Sequence, residues 1–207
     1  MSPPTTTPKI LVLLSGSGSN FAALLAATHS GALPGTITHV ISNRKSAYGL
    51  TRAHEASIST SYHNLTAYRP TPGAPADRAK YDADLAALIL AQKPDLVVCA
   101  GWMHILSEAC LTPLREAGVD IINLHPALPG CFDGVDAIRR AWEAGKTGEV
   151  GETGVMVHYV VAQAAAQAVE PVVVLAAARV AAQAVAPVAA PLPHWSPQLS
   201  WTPWAPP

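Results

Sequence analysis

The chain has 207 residues and a formal net charge of −1 at pH 7, which leaves room for one domain with a sizeable core, or for one domain and a tail. This balanced charge does not indicate nucleic acid or an anionic membrane as a partner, since either would favour a basic patch. The three cysteines lack the spacing of a metal site or a redox dithiol, and their sparse, odd number favours a reducing, cytoplasmic compartment.

Apolar runs that are nearly continuous alternate with helix-like segments along residues 9–161. Such runs are typical of strands buried on both faces of a parallel sheet. The predicted strands are Lys9–Ser15, Thr36–Ile41, Ser57–Tyr62, Asp95–Ala100, Asp120–Leu124 and Gly154–Val161. The predicted helices are Phe21–Thr28, Tyr48–Ala56, Asp77–Gln92, Glu108–Ala117 and Gly134–Gly145. The alternation predicts an α/β fold with a mainly parallel, Rossmann-like sheet flanked by helices.

The composition changes sharply after Val161. Between positions 162 and 207 only Glu170 and Arg179 are charged, and alanine, valine, proline and tryptophan dominate. Propensity alone favours a helix over Ala176–Ala186. We expect a frayed N-terminus at residues 1–8, without a secretory signal, and an α/β domain at 9–161. Residues 162–207 form an atypical segment that we expect to pack poorly, either a low-complexity tail or the product of a faulty gene model.

A glycine-rich turn joins the first predicted strand to the first predicted helix. The sequence Gly16-Ser17-Gly18-Ser19-Asn20 leaves backbone N–H groups free at a helix N-terminus, which favours a phosphate. Ser19 and Asn20 can cap the helix or bind phosphate oxygens. The turn lacks the third glycine of the dinucleotide fingerprint, and no acid follows the second strand, so a nicotinamide cofactor is not indicated. The alternative is a plain tight turn with a helix cap.

Asn123 and His125 lie two residues apart at the C-terminal end of a predicted strand. Residues i and i+2 of a strand point to the same side, and the carboxyl ends of strands are where ligands bind in open α/β sheets. Imidazole transfers protons near neutral pH, and an amide can donate to a developing oxyanion. The pair suits acyl transfer to an amine. The alternative is a loop histidine and a turn asparagine with structural roles.

Five segments have sequences that are specific as a set, above all the motif NLHPALPG after an AGWM-type segment. They are Lys9–Leu25 (KILVLLSGSGSNFAALL), Val40–Ala53 (VISNRKSAYGLTRA), Pro94–Ser107 (PDLVVCAGWMHILS), Ile122–Gly145 (INLHPALPGCFDGVDAIRRAWEAG) and Thr153–Val161 (TGVMVHYVV). Together they resemble the phosphoribosylglycinamide formyltransferase family in its eukaryotic, fungal-like form. The resemblance covers roughly residues 8 to 161.

The resemblance implies the formyltransferase fold and a reaction of de novo purine biosynthesis. A formyl group would pass from the co-substrate 10-formyltetrahydrofolate to the amine of glycinamide ribonucleotide, with no metal. Gly18, Ser19 and Asn20 would hold the ribonucleotide phosphate. The folate pterin pocket would be lined by Met103, His104, Ile105 and Leu106.

The resemblance also assigns catalytic positions. Asn123 and His125 match two of the family's three, where they would stabilise the tetrahedral oxyanion. His158 matches a histidine near the family's active site, and a structural strand histidine is the alternative. The family's third position is an aspartate, and Ala165 stands there in this sequence.

Glu170 and Asp133 are the candidates to replace the missing carboxylate. Three hypotheses follow: an active phosphoribosylglycinamide formyltransferase, another 10-formyltetrahydrofolate enzyme (a hydrolase or a formyltransferase acting on another amine), or a catalytically impaired protein that only binds the ligands. A measurement of ligand binding without turnover would separate the last hypothesis from the first.

Overall fold

The computed structural model describes residues 7–134 and 136–161, and the backbone of residues 173–179. The strands are β1 (Lys9–Leu14), β2 (Thr36–Ser42), β3 (Ser59–Tyr62), β4 (Leu96–Cys99), β5 (Asp120–His125), β6 (Glu152–Tyr159) and β7 (Val173–Arg179). The helices are α1 (Ser19–His29), α2 (Tyr48–Glu55), α3 (Arg78–Ala91), α4 (Glu108–Glu116) and α5 (Ala137–Thr147). Every strand and helix predicted between residues 9 and 161 is present, with ends that differ by a few residues.

The contacts divide the chain into two compact units. Of the described residues, the first unit contains 7–124 and 157–161, and the second contains 125–134, 136–156 and 173–179. In the second unit, α5 buries a face of small residues and ends at Gly148, whose φ is +76°. The N-terminal part of β6 lies beside β7 in the same unit.

Two elements were not predicted. One is the 3₁₀ helix Leu65–Tyr68, whose start is capped by the Asn64 side chain. The other is β7, so the helix predicted over Ala176–Ala186 is wrong at residues 176–179. The valine-rich run that enters β7 favours extended backbone over the helix propensity of the alanines that follow. Residues 162–172 and 180–207 lie outside the described residues, and with them Ala165, Glu170 and the expected poor packing of this segment.

In the first unit the strand order is β3-β2-β1-β4-β5, and the C-terminal part of β6 follows β5. β1 pairs in parallel with both β2 and β4, β2 with β3, and β4 with β5. The chain thus moves outward from β1 to β3 and then continues from β4 on the other side of β1. Ligands of open α/β sheets bind beyond the carboxyl ends of the strands at such a reversal. The segments after β1 and β4 therefore mark the place for a site.

Both faces of β1 are buried, which explains its continuous apolar sequence. Leu11 and Leu13 contribute to a core cluster that includes side chains of α3 and α4. Val12 and Leu14 contribute to a second cluster with Phe21 of α1. All five side chains are completely buried, and each such burial stabilises the fold by roughly 1.5–3 kcal/mol. The packing holds β1, and the turn that follows it, in one position.

Two glycines bring that turn against the start of α2. Gly18 has a φ of +71°, and a Cβ added to it would lie 2.7 Å from the Cα of Gly49. A Cβ added to Gly49 would lie 2.6 Å from Cδ2 of Leu14. The N–H of Gly49 donates to the carbonyl of Gly16 at 3.1 Å. Because only glycine permits these approaches, the two residues place the turn on the sheet.

Replacement of Gly18 by alanine is expected to lower the free energy of unfolding by about 2–4 kcal/mol, since a backbone clash adds to the strain of a positive φ. Gly118→Ala is the matched control, because Gly118 has the same φ of +71° and no atom within 4 Å of the added Cβ. It should cost only about 1 kcal/mol. Urea unfolding measures both values, and equal losses would contradict the close contact between Gly18 and Gly49.

Candidate active site

The turn after β1 presents the N-terminus of α1. Gly18 is the N-cap residue, and the first helical hydrogen bond runs from Ala22 N–H to the Gly18 carbonyl at 2.9 Å. The N–H groups of the first turn have no helical acceptor and lie at the positive end of the helix dipole, so this end of α1 suits an anion. The prediction that Ser19 or Asn20 caps the helix is wrong, because both lie inside the first turn and the cap is glycine.

α2 adds a positive charge next to this turn. The Nε of Arg52 donates to the carbonyl of Ser17 at 3.0 Å. The Arg52 guanidinium carbon also lies 4.9 Å from the ring centroid of Tyr48. The hydrogen bond and the ring contact hold the cation beside the helix terminus. Sequence reasoning missed Arg52, although its spacing of four residues from Tyr48 on one helix was a usable signal.

Ser15 joins the turn after β1 to the segment after β4. Its N–H donates to the carbonyl of Gly101 at 3.0 Å, and its Oγ accepts from Met103 N–H at 2.8 Å. Ser15 is buried, so both hydrogen bonds are shielded from water. One residue thus couples the two segments that follow the central strands.

The side chains of the four residues predicted to line a folate pocket point alternately to the surface and to the core. Met103 and Ile105 are 61% and 84% exposed. Leu106 is buried in the core, and the side chain of His104 is 6% exposed. The alternation is that of an extended chain, in which successive side chains point to opposite sides. Met103 and Ile105 therefore offer an apolar surface, while His104 and Leu106 anchor the segment.

A buried carboxylate holds His104 and the segment around it in place. Asp82, on α3, has no exposed surface; its Oδ1 lies 2.8 Å from His104 Nε2, and its Oδ2 accepts from Ser107 N–H at 2.9 Å. Burial raises the pKa of Asp82, but the hydrogen bonds from His104 and Ser107 outweigh burial and leave the pKa below its ordinary value of 3.8. Asp82 is therefore ionised at neutral pH. Because a carboxylate only accepts, Nε2 of His104 carries a proton.

Arg78, the first residue of α3, also reaches the segment after β4. Its guanidinium donates to the carbonyl of Ile105 at 3.2 Å. Asp77 precedes it as the N-cap of α3, with its side chain accepting from Lys80 N–H. Sequence reasoning predicted this helix but not the contact, because the contact joins residues 27 positions apart.

Asn123 on β5 and His158 on β6 are brought together. The Nδ2 of Asn123 lies 3.1 Å from Nε2 of His158, and Nδ1 of His158 lies 2.9 Å from the carbonyl of Tyr159. A carbonyl only accepts, so Nδ1 carries the proton and Nε2 accepts from the asparagine amide. Within the described residues the second N–H of Asn123 has no acceptor.

His125 is the last residue of β5 and belongs to the second unit. Its side chain is 14% exposed, and Nε2 has no hydrogen-bond partner among the described residues. Oδ1 of Asp133 lies 4.0 Å from this nitrogen. A nearly buried imidazole at the carboxyl end of a strand is suited to proton transfer.

The sequence that contains these groups is similar to that of known proteins. The family model described as formyl transferase matches residues 8–166 of the chain. The chain belongs to the formyl transferase family. The matched range includes every residue predicted for the site, from Gly18 to His158. Members of this family transfer formyl groups, and the chain is an enzyme of that class.

Relatives within the formyl transferase family are similar over most of their length. The phosphoribosylglycinamide formyltransferase of Schizosaccharomyces pombe is 55% identical over 155 residues, which cover 74% of this chain and 75% of that protein. The Saccharomyces cerevisiae protein of the same name is 45% identical over 165 residues, with 74% and 75% covered. The crystal structure of glycinamide ribonucleotide transformylase 1 from Symbiobacterium toebii superposes with a TM-score of 0.66 at 34% identity, covering 86% of this chain and 75% of that one.

Two structural features are absent from the described residues. No helix in this part of the formyl transferase chain is long and apolar enough to cross a membrane. No group of three or more histidine, cysteine, aspartate or glutamate side chains in the same part could hold a metal ion.

Cys99 and Cys110 are buried free thiols, and burial raises the pKa of each to about 12, which keeps both protonated and unreactive.

Asp82→Asn is expected to lower the free energy of unfolding by about 2–4 kcal/mol, because one buried charge-assisted hydrogen bond is lost. The Asp82 pKa is lower in the folded than in the unfolded chain. The contribution of Asp82 to the free energy of unfolding is therefore complete above its unfolded pKa near 3.9. This contribution is lost as the pH falls through the pKa of the folded state. The stability difference between wild type and variant should be constant above about pH 5 and shrink below about pH 4.

Asp84→Asn provides the control for Asp82→Asn. Asp84 lies on the same helix, but its carboxylate pairs with Lys80 and Tyr68 at the surface. Its replacement should change stability little. Urea unfolding between pH 3 and pH 7 measures both variants. A loss for Asp82→Asn no larger than that for Asp84→Asn would contradict the anchoring role.

Proposed function

We propose that this chain transfers the formyl group of 10-formyltetrahydrofolate to the amine of 5′-phosphoribosylglycinamide, in de novo purine biosynthesis. The relatives from both yeasts are named phosphoribosylglycinamide formyltransferase, and the family match over residues 8–166 includes Asn123 and His125. The observation that carries the proposal is the asparagine amide of β5. His158 fixes its orientation, and the other amide N–H has no acceptor among the residues that the structure describes. An oriented donor of this kind stabilises an oxyanion.

The two substrates would bind beyond the carboxyl ends of β1 and β4. The phosphate of the ribonucleotide would bind the N–H groups of Gly18, Ser19 and Asn20, with the Arg52 cation nearby. This placement rests on the positive end of α1 and on the contact of Arg52 with Ser17.

The folate co-substrate would lie along residues 103–106. Met103 and Ile105 offer exposed apolar side chains for a ring system, and the backbone between them offers hydrogen bonds. His104 and Leu106 would support the pocket from the core side. The buried carboxylate of Asp82 and the hydroxyl of Ser15 hold this segment from two directions, which limits its movement on binding.

In the reaction, the substrate amine attacks the formyl carbon and a new carbon–nitrogen bond forms. The carbonyl oxygen becomes an oxyanion, to which Asn123 would donate. His125 would stabilise the same charge and move a proton. The bond from the formyl carbon to the folate nitrogen then breaks. The amine loses one proton and the leaving nitrogen gains one, so the products are a formamide and tetrahydrofolate.

The compartment and the co-substrate follow from the same proposal. A cytoplasmic location fits free thiols at Cys99 and Cys110 that need no oxidising environment. The folate derivative is consumed as a substrate, and the proposed chemistry requires no metal.

The test is a spectroscopic assay of formyl transfer with the full chain, glycinamide ribonucleotide and a 10-formyl folate. Wild type should transfer formyl well above background. Asn123→Ala should lower kcat about 10²–10³-fold, the usual loss for one oxyanion donor. Asn64→Ala is the control, because the Asn64 side chain caps the 3₁₀ helix. The kcat of this variant should equal that of wild type. Folate binding in calorimetry without any turnover would instead show a protein that only binds the ligands.

A further inference from the structure

We infer that Asp133 is a positioning residue for His125 and supplies the carboxylate that the sequence lacks at position 165. The inference rests on the proposed function, because it assigns a partner to the histidine that acts there. Ala165 itself lies outside the described residues. His125 and Asp133 both belong to the second unit and are separated by eight positions of one loop.

The first observation is the unsatisfied nitrogen of His125. The side chain is 14% exposed, yet Nε2 has no hydrogen-bond partner in the part of the chain that the structure describes. Buried polar groups in folded proteins almost always have a partner, since an unpaired one is destabilising. Oδ1 of Asp133 lies 4.0 Å away, which is about 1 Å beyond hydrogen-bond distance.

The second observation is that the Asp133 side chain is exposed while its backbone is held. The carboxylate is 84% exposed, so no packing opposes its rotation toward His125. The backbone is fastened by Arg140 on α5, whose guanidinium donates to the carbonyls of Phe132 and Asp133 at 2.6 and 2.5 Å. We therefore expect rotation of the Asp133 side chain to bring Oδ1 within hydrogen-bond distance of Nε2, with the loop backbone held by Arg140.

The loop itself has a defined shape. The N–H of Cys131 donates to the carbonyl of Leu128 at 3.0 Å, which closes a turn. Phe132 has a φ of +52°, a conformation that aromatic residues rarely adopt, and its ring lies 5.9 Å from the Arg140 guanidinium carbon. Arg140 thus holds both the strained residue and the residue that follows it. This arrangement keeps the carboxylate beside the end of β5.

A carboxylate next to a catalytic imidazole can stabilise the charge and the orientation of the ring. During transfer the other ring nitrogen of His125, Nδ1, carries a proton between the attacking amine and the leaving folate nitrogen. An adjacent negative charge stabilises the imidazolium, and a hydrogen bond to Nε2 fixes the orientation of the ring. Asp133 does not change protonation state in this scheme. Its effect on the reaction passes entirely through His125.

The experiment compares Asp133→Asn with Asp136→Asn in the full chain. Asp136 is a carboxylate of the same segment that pairs with Arg139 at the surface, and asparagine tolerates its φ of +57°. Asp133→Asn should lower kcat about 10²-fold, at the lower end of acid–base contributions, with little change in KM for either substrate. Asp133→Glu should recover part of the loss, and Asp136→Asn should retain wild-type kcat.

A second readout does not depend on activity. Long-range ¹H–¹⁵N spectra of the histidine rings, with His125 assigned through a His125→Asn variant, should show a shifted Nε2 signal in Asp133→Asn and an unchanged one in Asp136→Asn. A wild type that transfers no formyl group would overturn the proposed function, and the spectra would still decide whether Asp133 contacts His125. An unchanged His125 spectrum, or wild-type kcat in Asp133→Asn, would overturn the inference.

Discussion

β1 is paired on both edges and buried on both faces, and the rest of the first unit is arranged around it. Its partners β2 and β4 run parallel to it, so the ends of β1 and β4 open on the same edge of the sheet. The chain reverses its direction of sheet growth at this point. A ligand can approach the backbone only where such a reversal parts the connecting segments. The location proposed for the site is therefore a consequence of strand order.

The polar groups near this edge fall into two kinds. Ser15 and Asp82 are buried with their hydrogen-bonding capacity used, and they hold the segment after β4. Asn123 keeps an amide N–H without an acceptor among the described residues. Satisfied buried networks are rigid, whereas a donor without a partner can bind a substrate. The contrast distinguishes the supporting residues from the one proposed to react.

Much of the first unit could be predicted from the sequence. The apolar runs indicated β1 and β4 because strands buried on both faces need continuous apolar residues. The Gly18 turn could be predicted because a positive φ requires glycine. The helix expected over Ala176–Ala186 was wrong at its start, since helix propensity is a weak signal that a neighbouring valine run overrides.

The sequence by itself determined the alternation of strands and helices, the glycine turn, the family and the presence of an asparagine and a histidine on β5. Only the tertiary structure decided that His104 points to Asp82 rather than outward, that Arg52 and Arg78 reach the two segments of the site, and that His158 orients Asn123. The reason is physical. Propensity and periodicity act between near neighbours, whereas these contacts join residues 22 to 35 positions apart, whose proximity is set by how the strands pair.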